Sequence, residues 1–215
     1  MTYKDLDKKE FKAIRHKLDK RNEHLEGGAR WRNLDLFICI VAVLVFAFAI
    51  REVVAEPVKV KGSSMESTLL GGDYMLVEKL SYTVSTPDRG DIVICYYPDE
   101  YYEKYHSYEE KNSCVKRVIG CPGDVVAIGG GKVSVNGVAL DEYYLDEDAL
   151  TFASQGEFVV PQGYVMVMGD NRSVSSDSRS ADVGFIPLER VLGRARMVIL
   201  PIIRAKMLHG VDYGV

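Results

Sequence analysis

Apolar residues follow three regimes along this chain. Over residues 4–28 Phe11, Ile14, Leu18 and Leu25 form one stripe in an otherwise charged segment, which predicts a solvated helix closed by Gly27-Gly28. Residues 36–50, LFICIVAVLVFAFAI, carry no charge at all. Beyond residue 55 the apolar positions fall into short runs, YMLVEKLSYTV, GDIVICYY, CVKRVIGC, DVVAIGG, KVSVNGVAL, EFVVPQGYVMVMGD and LGRARMVILPI, separated by Gly, Pro and an Asn136-Gly137 pair. That pattern predicts a mostly β, antiparallel domain with a two-residue hairpin at Asn136-Gly137. Two polar stretches, 98–112 and 140–157, are expected to be solvated insertions. The terminal MVILPII is too short for a membrane span.

A hydrocarbon core of about 30 Å takes roughly 20 helical residues. The run 36–50 reaches that length if Asp35 and Arg51 sit at the interfaces and Val53 and Val54 extend the apolar surface. One transmembrane helix over 34–54 is the expectation. A buried core helix and the apolar part of a cleavable leader compete with it, although the polar segment in front is longer than such leaders carry.

Charge sharpens the picture. The first 33 residues hold ten Lys or Arg against six Asp or Glu, a surplus of four, so the remainder carries −8 of the total −4. A basic flank stays in the cytoplasm. The expected organisation is therefore a cytoplasmic basic helical segment, 1–33, the span, 34–54, and an extracytoplasmic β-rich domain, 55–215. The acidity of that domain argues against a nucleic-acid partner.

The four cysteines, Cys39, Cys95, Cys114 and Cys121, have no metal-ligand spacing. Hairpin register would pair Cys95 with Cys114, leaving a disulfide or two buried thiols as alternatives. His16 and His24 precede the span, His106 lies in a polar insertion and His209 stands near the C-terminus. Neither a Ser-His-Asp triad nor a histidine metal site has a motif to support it.

Three stretches could carry chemistry instead: KGSSMESTLL (61–70), CVKRVIG (114–120) and GDNRSVSSDSR (169–179). A lysine can act as a base where an apolar site favours its neutral form, since an unperturbed lysine titrates at about pH 10.4. In CVKRVIG, Lys116 shares a face with Cys114 and Val118, and Arg117 shares the other with Val115 and Ile119. Periodicity does not choose between the faces, but a guanidinium cannot be deprotonated. GDNRSVSSDSR, taken alone, could be a turn with local side-chain to backbone bonds.

In combination and in this order, the three stretches resemble the type I signal peptidases. The resemblance runs from residue 58 to about 200 and takes in GDYMLVEKL, RGDIVI, VNGVALDEYYL and GFIPLERVLGRA. It implies that Ser64, followed by Met65, is the nucleophile and Lys116 its general base. Ser175 would hydrogen-bond and orient the lysine, Asp177 and Arg179 would brace the site, and Asp170 would pair with Arg117. Where some members have a serine two positions before the nucleophile, this chain has Gly62, as in the branch typical of Gram-positive bacteria. The oxyanion would then depend on backbone N–H groups. The pattern Ser-Met-x-Pro-Thr-Leu is broken by Ser67 in place of the proline.

The implied protein is a membrane-anchored serine endopeptidase, a monomer without cofactor or metal. It would cut secreted preproteins after small residues, using a shallow pocket beside Met65, at the bilayer surface. A non-catalytic relative would lack the serine or the lysine. A self-cleaving Ser-Lys repressor would carry a DNA-binding domain in place of the apolar run.

Overall fold

The computed structural model describes residues 8–105, 113–153 and 156–214, without the side chains of 8–9, 22–32 and 49–53. The chain divides into two compact units, Met1–Ile50 and Arg51–Val215.

The first unit is helical. α1 runs Lys8–Val53 without a break, so Gly27-Gly28 does not close a helix as the sequence suggested. Each glycine costs about 1 kcal/mol against alanine, but long helix-forming segments flank the pair and propagation is far cheaper than a second nucleation. Phe11, Ile14 and Leu18 are exposed, as are the side chains of 33–48. Among the described residues no helix is long and apolar enough to cross a membrane.

The second unit is built on antiparallel β-strands. Its strands are β1 (Ala55–Lys59), β2 (Tyr74–Glu78), β3 (Ile92–Cys95), β4 (Cys114–Gly120), β5 (Val125–Gly129), β6 (Lys132–Val135), β7 (Val138–Ala139), β8 (Glu157–Val159), β9 (Tyr164–Met168), β10 (Ile186–Pro187), β11 (Val191–Leu200) and β12 (Lys206–Met207). One sheet has the order β1-β2-β11-β3-β4-β9-β10, with β12 beside β11, and the other has β7-β6-β5-β8. In β3, β4 and β9 nearly every residue on both faces is buried, which is why these strands read as unbroken apolar runs. β1 lies at a sheet edge, where its Pro57 costs no ladder bond. Asn136 and Gly137, with φ of 52° and 84°, make the two-residue turn between β6 and β7 that the sequence predicts.

Two segments depart from expectation. YMLVEKLSYTV leaves the strand at Glu78, whose carboxylate accepts the backbone N–H and the hydroxyl of Ser81, each at 2.6 Å, and starts the helical turn α2 (Ser81–Val84). The insertion between β3 and β4 begins as helix α3 (Asp99–Tyr105), with Asp99 and Glu100 in the first turn and Tyr102 buried. Acidic residues favour a helix N-terminus, and the tyrosines supply the buried face.

Candidate active site

β4 passes through the centre of the large sheet, with Val93 of β3 opposite Lys116 and Met168 of β9 opposite Arg117. Both of its cationic residues are buried, Lys116 to 3% exposure and Arg117 to 2%. They leave the strand on opposite faces and meet different partners.

Lys116 Nζ lies 2.7 Å from Ser64 Oγ. Among the described residues no carboxylate forms an ion pair with this lysine. Ser64 sits in the turn after Gly62, which has φ of +77°, a conformation that disfavours any side chain at that position. The turn is closed by Glu66 N–H donating to Ser63 O at 3.2 Å and by the N–H groups of Thr68 and Leu69 donating to Met65 O at 2.8 and 2.6 Å. Met65, 2% exposed, anchors the turn in the core with Leu69, Met75 and Val77. It is a wedge under the nucleophile rather than the wall of an open pocket.

Arg117 grips Asp170 with two bonds, Nε to Oδ1 at 2.9 Å and Nη2 to Oδ2 at 2.7 Å, and donates to Gly90 O at 2.9 Å. Its guanidinium stacks 3.9 Å from the Tyr144 ring. Such a planar bidentate pair is one that lysine could not make. Asp170 also accepts Thr68 Oγ1 at 2.5 Å, and its N–H points to Met65 Sδ at 3.4 Å. Asn171 N–H donates to Ser64 O at 3.0 Å. The turn bearing Ser64 is thus tied to the segment 169–179 at the nucleophile's own carbonyl and at Met65 and Thr68 after it.

Within that segment Asp177 is buried and accepts Gly169 N–H at 3.0 Å and Arg179 Nε and Nη2 at 2.8 Å each. Burial alone would raise its carboxyl, but the Arg179 guanidinium and the Gly169 N–H outweigh it and hold the group below the usual carboxylate range. Ser175 packs over Gly169, where a Cβ would collide with Ser175 Oγ and Ser64 O. The Ser175 hydroxyl lies 3.5 Å from Ser176 O and also helps hold the Asp177 carboxylate; the bond to Lys116 implied by the resemblance is not formed in this conformation.

The thiols of Cys95 and Cys114 face each other across β3 and β4 in the expected register, 3.5 Å apart and unbonded. Cys95 is pushed up by its hydrogen bond to Cys114 and by desolvation, whereas Cys114, although burial opposes it, is brought down by the hydrogen bond with Cys95, by the Lys116 amine and by Tyr97. His16 and His209 are exposed, and His106 lies outside the described residues. No group of residues that could hold a metal occurs among those described.

Several contributors were not evident from sequence. Thr68 and Gly169 act through contacts that only the fold supplies. Arg172 binds Glu142 with both η nitrogens, reaches Thr151 Oγ1 at 2.6 Å and donates from Nε to Gly169 O at 3.1 Å. The stretch expected to be a solvated insertion, 140–157, therefore buttresses the segment carrying Ser175 through buried polar contacts.

A hydroxyl against a buried amine, braced by the Arg117–Asp170 and Arg179–Asp177 pairs, suits acyl transfer by a serine nucleophile. Residues 33–200 match the family described as signal peptidase, peptidase S26. The chain is 39% identical to the probable signal peptidase I-2 of Synechocystis sp. over 81% of its own length and 77% of that protein's. It is 37% identical to the signal peptidase I of Bacillus licheniformis over 75% of this chain and 86% of the relative. The thylakoidal processing peptidase 1 of Arabidopsis thaliana is 35% identical over 82% of this chain and 53% of that longer protein. This chain belongs to the signal peptidase I family of serine endopeptidases, which remove signal peptides from secreted preproteins.

Proposed function

We propose that cleavage runs through a dyad in which Ser64 is the nucleophile and Lys116 its general base. The observation that carries this reading is the 2.7 Å contact between Lys116 Nζ and Ser64 Oγ, with the amine 3% exposed. Lys116 in its neutral form takes the hydroxyl proton as Ser64 Oγ attacks the scissile carbonyl. The oxyanion is held by backbone N–H groups around Ser64, with Gly62 supplying no side chain. When the C–N bond breaks, the Lys116 ammonium returns the proton to the leaving amine of the mature protein. Lys116 then deprotonates water, which attacks the acyl-Ser64 ester; as the ester C–Oγ bond breaks, the Lys116 ammonium returns that proton to Ser64 Oγ, and the signal peptide leaves with its new carboxyl group, which ionises in water. The reaction as written needs no cofactor.

Ser175 orients the Lys116 amine once its hydroxyl turns from Ser176 O, and Asp177 and Arg179 hold the backbone from which it does so. Arg117 and Asp170 lock β4 to the segment 169–179, and Met65 seats the nucleophile's turn. The chain is a single-pass membrane protein anchored by 34–54, with the basic segment 1–33 in the cytoplasm and 55–215 outside, acting as a monomer at the bilayer. The uncharged run 36–50 and the basic flank support that topology. Cleavage after small residues suits a nucleophile whose surroundings are aliphatic and closely packed.

The test is cleavage of a secretory preprotein by the purified, detergent-solubilised chain, with the new N-terminus read by mass spectrometry. Ser64→Ala has to abolish the product while leaving the circular dichroism spectrum unchanged. Protease added to sealed right-side-out cells is expected to remove 55–215 and spare the segment before residue 36; protection of the β domain would refute the orientation.

A further inference from the structure

The segment 169–179 is held from the side of the dyad by groups already described, yet a second set of contacts reaches it from the insertion after β3. Tyr97 is 6% exposed and is fixed at three points. Its N–H donates to Tyr102 Oη at 3.1 Å, its carbonyl accepts Arg190 Nη1 at 2.7 Å, and its hydroxyl donates to Ser176 O at 2.5 Å. The rings of Tyr97 and Tyr101 meet edge to face with centroids 4.7 Å apart, and Tyr101 Oη donates to Ser176 Oγ at 3.3 Å. One turn further along α3, Lys104 pairs with Asp182 at 2.8 Å and Tyr105 hydrogen-bonds the same carboxylate.

Ser176 is the residue between Ser175 and Asp177. Its carbonyl also lies 3.5 Å from the Ser175 hydroxyl, beyond the usual range for an O–H···O bond. Tyr97 thus holds the peptide unit that joins the orienting serine to the bracing aspartate. Burial, the Cys114 and Cys95 thiols and the Asp177 carboxylate all push the Tyr97 phenol far above its ordinary range, so its O–H is a donor at every working pH. The ring lies in one apolar cluster with Cys95, Val118, Val165 and Val167, so the hydroxyl is delivered from a rigid base.

We propose that Tyr97 is a positioning residue of this site: its bond to the Ser176 carbonyl fixes the backbone on which Ser175 and Asp177 stand, and so sets the place from which the Ser175 hydroxyl turns to Lys116. The inference rests on the dyad proposed above. A purely structural tyrosine would contribute through its ring; a positioning tyrosine contributes through its hydroxyl, and through kcat.

The experiment compares Tyr97→Phe with the parent full-length chain in detergent, on one preprotein. Lys104→Ala, whose exposed ion pair with Asp182 is worth little, serves as the control. For Tyr97→Phe a fall in kcat of about tenfold is expected, with KM unchanged within about twofold, since one hydrogen bond is lost and no substrate contact is touched. Amide hydrogen exchange in peptides covering 171–180 should accelerate in Tyr97→Phe and not in Lys104→Ala, while the thermal midpoint moves little because the ring is kept. An unchanged kcat, a loss carried by KM, or exchange at 171–180 equal to the parent's would overturn the proposal. If the parent chain cleaves no preprotein, the dyad assignment fails by itself, and the exchange comparison still decides whether Tyr97 holds the segment.

Discussion

Replacing Lys116 with methionine should separate catalysis from stability in a way that no other substitution in this protein does. The side chain is 3% exposed, and Ser64 Oγ at 2.7 Å is the hydrogen-bond partner that the structure gives its amine. An amine with one partner leaves its remaining N–H capacity buried, and each unmet buried donor costs about 1–3 kcal/mol. Methionine is of similar length, fits the aliphatic surroundings and brings no polar head. Lys116→Met is therefore expected to stabilise the fold by about 1–3 kcal/mol, a rise of about 2–10 °C in Tm for a domain of this size. Cleavage should fall by at least about 10⁴-fold, because removing one member of a nucleophile–base unit disables the whole. Lys116→Arg should be as inactive, and less stable than the parent by about 3 kcal/mol or more, since it buries a permanent charge with no carboxylate to meet it. Differential scanning calorimetry and a preprotein cleavage assay on the same three preparations check both halves. A Lys116→Met chain that melts below the parent, or that keeps even about 1% of its kcat/KM, would refute the reasoning; the second outcome would mean that another group accepts the Ser64 proton.

Four further outcomes are expected. Gly169→Ala, whose new methyl would collide with Ser175 Oγ and with the backbone oxygen of Ser64, should lose nearly all activity and show a lowered Tm, whereas Gly62→Ala, with open space around its Cβ but φ of +77°, should lose stability without a steric clash. Ser67→Pro should raise stability by about 0.4–1 kcal/mol in urea unfolding, because among the described residues the Ser67 N–H donates to no backbone oxygen of this turn. Asp177 has a folded-state pKa below its unfolded one, so its contribution is complete above about pH 4 and is lost as pH falls through the folded value; the urea midpoint should drop on acidification and Asp177→Asn should flatten that limb. Iodoacetamide should modify Cys114 before Cys95 in the native chain, as the first comes down and the second goes up, with mass spectrometry of unreduced peptides finding no bond between them.

The chemistry proposed for this site can be read from the sequence because it depends on residue type. Only a lysine on β4 can give up its proton, so the choice between Lys116 and Arg117 could be made without knowing which face was which. Geometry was less legible. β4 is buried on both faces, so alternation carried no contrast there, and the partners of Arg117 could be named only through the resemblance. The helix over 99–105 could not be seen because its seven residues are too few to be stable alone; it forms by docking Tyr97, Tyr101 and Tyr105 on residues 176 and 182, which are far away in sequence. Gly27-Gly28 misled for the opposite reason, since local punctuation yields when the helix on either side is long. The two-residue strands β7, β10 and β12 are shorter than any period can reveal. Above all, β2 and β3 follow one another in the chain and yet are separated in the sheet by β11, a pairing that no local pattern announces. That crossing pairs Ala195 of β11 with Val77 of β2 and Val191 of β11 with Cys95 of β3, and so holds the core under Met65 against the strand beside Lys116. The contact between Lys116 and Ser64 is thus set by the last long strand of the protein, although neither of its two residues lies on it.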